Sequence, residues 1–94
     1  MNRDALISKI KTTHPGQFIK TAEEFSPSQF KDSDGIWLSG ESGVLDKKGK
    51  RIFSYYNDNS SYENGVIRHL NKMVEKQGWY FEWYDAGTIM IFKK

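Results

Sequence analysis

The stretch GWYFEWYDAGTIMIFKK, residues 78–94, crowds Trp79, Tyr80, Phe81, Trp83, Tyr84 and Phe92 into one short tail. Its residues alternate in character on either side of Asp85-Ala86-Gly87, the pattern of two strands joined by a turn. A three-residue loop with Gly87 in the left-handed position pairs Tyr84 with Thr88, Trp83 with Ile89 and Phe81 with Ile91. That register gathers Trp79, Phe81, Trp83, Ile89 and Ile91 on one face. A two-residue loop would mix Glu82 with Ile91, which a buried face resists. The Trp/Phe/Ile face is therefore expected to be core. The opposite face carries Tyr80, Glu82, Tyr84, Thr88, Met90 and Phe92. Left uncovered, it is an apolar patch with polar edges, the type of surface that meets partners. The candidate cover is the amino-terminal segment.

Upstream of this ribbon, Val66, Ile67, Leu70, Met73 and Val74 fall on one helical arc, and Gly78 stands where a helix commonly ends, which predicts a helix over 64–77. Another is expected over 4–13, where Leu6, Ile7 and Ile10 share a face before His14-Pro15-Gly16 ends it. Thr21 with Glu24, and Ser26 with Pro27 and Gln29, read as capping signals for one or two short helical turns with Phe18, Ile19, Phe25 and Phe30 directed inward. Residues 36–39 read as a strand. Residues 44–56 read as a hairpin about DKKGK, with Gly49 available for a positive φ. Residues 57–61 form a polar loop. The predicted order is α-βββ-α-ββ, a single α+β domain with an antiparallel or mixed sheet of four to five strands and two main helices lying mainly on one face. The crossover through the second helix allows its flanking strands to be parallel.

At 94 residues, with 28% charged and 37% hydrophobic positions, the composition is that of one ordinary globular domain. No cysteine is present, which excludes disulfides and thiolate metal sites. The opening MNRDALISKIKTTHPG interrupts its apolar residues with charges, unlike a secretory signal, and no run reaches membrane-span length. No membrane association and a cytoplasmic location are the expectations. A net charge of +2 is too mild to name a partner without local clustering.

The search for chemistry returns little. His14 and His69 have no sequence neighbour resembling a nucleophile or an orienting carboxylate, and both are assigned structural or surface roles. Metal-ligand spacing such as HExxH is missing. Asp58-x-Ser60 lacks the glycine and glutamate that complete a calcium loop. The glycines at 35, 40, 43 and 49 form neither GxGxxG nor a Walker loop. The expectation is a protein that is not an enzyme and has neither cofactor nor metal.

Positive charge, by contrast, clusters. Lys47, Lys48, Lys50 and Arg51 lie on one hairpin, while Arg68, Lys72 and Lys76 form an i, i+4, i+8 row on the second helix. Either set suits phosphates, and exposed Tyr80 or Tyr84 would stack on bases. The α-βββ-α order loosely resembles a double-stranded RNA-binding domain, although NGVIRHL lacks that family's basic helix start and two further strands follow. KGKRIFSY is similar to the RNA-recognition consensus at Lys48, Gly49 and Tyr55 but departs from it at Lys50 and Arg51.

The leading expectation is a protein-binding module. Tyr80, Tyr84, Met90 and Phe92, joined by Tyr55 and Tyr56, form its contact patch, and Lys47, Lys48, Lys50 and Arg51 steer it toward an acidic partner. In size and in lack of catalytic motifs the chain resembles small accessory proteins of phages and mobile elements, including stoichiometric inhibitors of the anti-CRISPR type. The alternative is a nucleic-acid-binding domain using the basic hairpin and exposed tyrosines. A homodimer through the last strand, residues 88–92, is a third reading.

Overall fold

The carboxy-terminal ribbon is the centre of the molecule. The computed structural model describes residues 1–56 and 59–94, so part of the 57–61 loop, and with it the calcium-loop comparison, lies outside the described residues. Strand β5 (Trp79–Asp85) pairs antiparallel with β6 (Thr88–Lys93), and β6 pairs in turn with β2 (Ile36–Ser39), which pairs with β1 (Ile19–Thr21). The four-stranded order is β1-β2-β6-β5. Strands β3 (Tyr62–Glu63) and β4 (Val66–Ile67) form a separate two-stranded sheet. The helices are α1 (Arg3–Thr13), α2 (Ala22–Phe25) and α3 (Arg68–Lys76). The fold is α+β, and every strand pair is antiparallel, so the crossover through α3 yields no parallel neighbour. None of the described helices is long and apolar enough to cross a membrane.

The ribbon's core register is the expected one, with Trp83 opposite Ile89 and Phe81 opposite Ile91. Its turn differs. Asp85 rather than Tyr84 pairs with Thr88, and the register shifts between Trp83 and Asp85. A two-residue turn plus one bulged residue, Tyr84, gives the same facing as a three-residue loop, because the bulge restores the alternation that the shorter turn would have flipped. Gly87 is not left-handed. A Cβ there would stand 3.1 Å from the carboxylate of Glu41, an exposed side chain with room to move aside.

Both long helices pack on the Trp/Phe/Ile face. Leu6 and Ile10 of α1 and Leu70 and Val74 of α3 form one buried cluster with Ile36, Leu38, Phe81, Ile89 and Ile91. Asn2 caps α1 through its side chain, and the chain leaves that helix at Gly16 with φ 91°. The third helix starts later than its apolar arc suggests. Asn64 and Gly65 take φ 52° and 74°, and Val66 and Ile67 are extended. Asn-Gly is the preferred pair for a tight hairpin turn with two left-handed residues, so the chain folds back before the helix begins. Residues 44–56 are correspondingly less regular than a full hairpin. Leu45 bridges Arg51 and Phe53 bridges Val66, with Gly49 at φ 80°.

The opposite face is covered, but not by α1. The capping box of Thr21 and Glu24 forms as expected and starts α2. From there Phe25 stacks on Trp37 with centroids 5.6 Å apart and meets Tyr84 edge-on. Phe30 touches Phe92 and Tyr84. The Arg3 guanidinium binds both oxygens of Glu23, at 2.7 and 2.9 Å, tying this covering segment to the start of α1. Phe18, expected inside, is exposed because β1 turns it outward ahead of Ile19.

Candidate functional site

The expected contact patch is divided by this arrangement. Met90 is only 1% exposed, since it sits on β6 between Trp37 and Glu82 beneath the aromatic cover, and it is not available to a partner. Phe92 is half-buried against Phe30 and Tyr80, and it so fills the space above Gly35 that a Cβ there would lie 2.8 Å from its ring. Tyr80 and Tyr84 keep exposed surface. Tyr55 and Tyr56 are exposed too, but they belong to the other side of the sheet, where Tyr55 meets Trp83 edge-on at 5.0 Å. The homodimer reading also changes its basis: β6 is interior, and the edge strands of the four-stranded sheet are β1 and β5.

The charged residues are brought together instead. The end of α1, the 45–50 turn and the start of α3 enclose an open groove of about 1030 Å³ whose lining includes Lys47, Lys48, Lys50, Arg68, His14 and His69. The turn is rigid for a local reason. Asp46 Oδ1 accepts the backbone N–H groups of Lys48 and Lys50, both at 2.9 Å, and the Gly49 N–H reaches the Asp46 carbonyl. The Lys50 N–H, then that of Lys48, holds the Asp46 carboxyl below its ordinary range, so it stays ionised and keeps the turn closed. This presents the three lysines along one rim. Lys50 Nζ donates to Ser61 Oγ at 2.7 Å, and Arg68 pairs with Glu63 at 3.0 Å, so both are positioned rather than free.

The N-cap of α3, Ile67, lines the groove and supplies no side-chain cap, and the helix's first turn contains no acidic residue. The positive end of the helix dipole therefore adds to the field of the lysines; among the described residues Asp46 is the carboxylate in the lining, and Glu63 is paired with Arg68. Arg51 is exposed on the same turn but does not line the groove, and Lys72 and Lys76 continue the basic row along α3 beyond it.

Sequence reasoning missed that His14 and His69 meet. Their Nε2 atoms are 3.4 Å apart, with ring planes 12° from parallel and centroids 5.6 Å apart. The nitrogens are closer than the centroids by about two ring radii, so the rings meet edge to edge rather than face to face. His14 is buried and His69 exposed. Burial, reinforced by His69, pushes the His14 imidazole below its ordinary value, while Asp46 acts weakly in the opposite sense. No local signal links residues 55 positions apart, and only the packing of the end of α1 beside α3 joins them.

The arrangement is suited to holding an anion more than to covalent chemistry. The Thr13 hydroxyl lies 2.8 Å from the Lys9 carbonyl and 2.9 Å from His14 Nδ1, so it is held in local hydrogen bonds. Among the described residues no group of three or more His, Asp or Glu side chains is placed to share a metal ion. Among the described residues no Phe, Tyr or Trp ring lines the groove, so Tyr55, Tyr56, Tyr80 and Tyr84 do not offer stacking surfaces inside it. No family model, curated protein or solved structure matches the chain.

Proposed function

We propose that the chain is a non-enzymatic binding domain whose working surface is the basic groove, and that its ligand is the phosphate backbone of a nucleic acid. One observation carries the reading: Lys47, Lys48 and Lys50, with Arg68 held by Glu63, line a single concave surface at the start of α3. The three lysines, with Asp46 the carboxylate set among them, make a field that attracts phosphates, and a groove without Phe, Tyr or Trp rings among the described residues reads backbone rather than bases. Lys72 and Lys76 extend the contact along α3, since residues four apart advance about 6 Å along a helix, close to the spacing of successive phosphates. A chain without cysteine suits a reducing compartment, and the proposal places it in the cytoplasm.

Fluorescence anisotropy with a labelled duplex of arbitrary sequence tests this. Neutralising about four phosphates predicts a slope near −3.6 for log affinity against log salt, roughly a 100-fold loss between 50 and 200 mM. Replacing Lys47, Lys48 and Lys50 together with Ala should flatten the slope by about 2 to 3. A salt-independent affinity, or one unchanged by the triple substitution, would remove the groove from consideration.

A second reading, a protein-binding module of the accessory or inhibitor type, is favoured by β5. It is the longer of the two edge strands, seven residues without proline or lysine, and its Tyr80 and Tyr84 are exposed. A partner strand added there would bury both rings and would be lost on substituting Tyr80 and Tyr84 together with Lys.

A further inference from the structure

The contact between His14 and His69 admits two hydrogen arrangements, and Thr13 decides between them. Thr13 Oγ1 has one hydrogen and lies 2.8 Å from the Lys9 carbonyl and 2.9 Å from His14 Nδ1. Where that hydrogen goes to Lys9, Nδ1 must carry a hydrogen and donate to Oγ1. A neutral His14 with Nδ1–H has a lone pair on Nε2, and that lone pair faces His69 Nε2. His69 must then donate through Nε2–H. Its remaining nitrogen, Nδ1, is turned away from His14 and has no hydrogen-bond partner among the described residues.

His69 lines the groove at the second position of α3. While it is neutral, its Nδ1 is a lone pair, which repels a phosphate oxygen. One added proton at Nδ1 converts that atom into an N–H donor and makes the ring a cation, with Nε2–H still engaged by His14. A second proton on the pair would set two N–H groups head to head at 3.4 Å, so the buried His14 remains the acceptor.

We propose that His69 is a proton-dependent phosphate ligand of the groove, with His14 as the positioning residue that holds its tautomer, so that the groove binds phosphodiester together with one proton. The inference rests on the groove reading above and adds the identity of one ligand group and its control. Among the described residues the charged groups around the pair are Lys47, Lys48 and Lys50 with Asp46 on the 45–50 turn, and Arg68 on α3, which is paired with Glu63 of β3. A bound phosphate places negative charge beside Nδ1, where the added proton sits.

The test is anisotropy of the full chain with a labelled DNA duplex at 50 mM salt, from pH 5.5 to 8. Phosphodiesters do not titrate in this range, so any slope belongs to the protein. Affinity should fall on the order of tenfold with rising pH, the size of one charge-assisted hydrogen bond. His69→Gln should show no slope and should bind on the order of tenfold more weakly than the parent at pH 5.5. Without ligand, nitrogen NMR should find His14 with hydrogen on Nδ1 and bare Nε2 at pH 8. Affinity that is independent of pH, a slope retained in His69→Gln, or hydrogen on His14 Nε2 would overturn the inference alone. No binding at either pH would overturn the groove reading and this inference with it.

Discussion

The indole N–H of Trp83 donates to the Asn64 carbonyl at 2.7 Å, so the tip of the carboxy-terminal ribbon is held by the small hairpin that precedes α3. Trp83 also meets Phe53 and Tyr55 edge-on. Trp83→Ala should cost about 3 kcal/mol, the low end for a tryptophan truncation because the ring is half-buried. Trp83→Phe should cost about 1 kcal/mol, since it keeps most of the ring and loses the hydrogen bond. Urea unfolding midpoints separate the two. Equal losses would mean that the hydrogen bond, not the packing, carries the effect.

The turn at Asn64-Gly65 makes a second prediction. Gly65 has φ 74°, and a Cβ there would lie 3.0 Å from the Ser54 carbonyl oxygen and from Trp83 Nε1. Gly49 has a similar φ of 80° but nothing within 4 Å. Gly49→Ala should cost only the left-handed strain, about 1 kcal/mol, and Gly65→Ala at least about 2 kcal/mol. Denaturation of the two variants side by side checks the difference, and equal costs would show that the crowding is relieved without penalty.

The covered face is tested by Met90 and Tyr84. Met90→Ala should destabilise by about 2 to 4 kcal/mol, because the side chain is almost wholly enclosed. Tyr84→Ala should cost about 1 kcal/mol, because nearly half of that residue is in solvent. Neither should change affinity for a duplex. A change there with Tyr84→Ala would move the working surface to the ribbon.

Stability should depend on pH through His14. Its folded-state value lies below the ordinary one, chiefly through burial, so the unfolded chain takes up a proton first as pH falls. The contribution to stability is full above the ordinary histidine value and is lost as pH drops through it toward the lower folded value. Thermal midpoints should therefore be lower at pH 5.5 than at pH 7.5. An equal or higher midpoint at pH 5.5 would mean that the imidazole is not disfavoured as a cation.

How much of this was legible depends on the range of the forces involved. The ribbon's register follows from two-residue alternation and a buried face, both local, so Phe81 against Ile91 is readable while the bulge at Tyr84 is not. Val66 and Ile67 fit a helical arc with Leu70 because a short strand buried on both faces has no alternation to betray it. The Asn-Gly pair before them was the available sign of a hairpin. The capping box at Thr21 and Glu24 announced α2, but not that Phe25 and Phe30 would close over Met90, since that depends on where β2 delivers Trp37. The basic turn was visible as a cluster; its partnership with Arg68, His14 and His69 arises only from tertiary packing.

The most direct measurement is to add a short duplex to isotopically labelled protein and follow the backbone amide signals. The account predicts that the largest shifts fall on His14, Lys47, Lys48, Lys50, Arg68 and His69, with Tyr80, Tyr84 and Met90 undisturbed. Shifts concentrated on β5 and on Phe25 and Phe30 instead, with the groove silent, would contradict it.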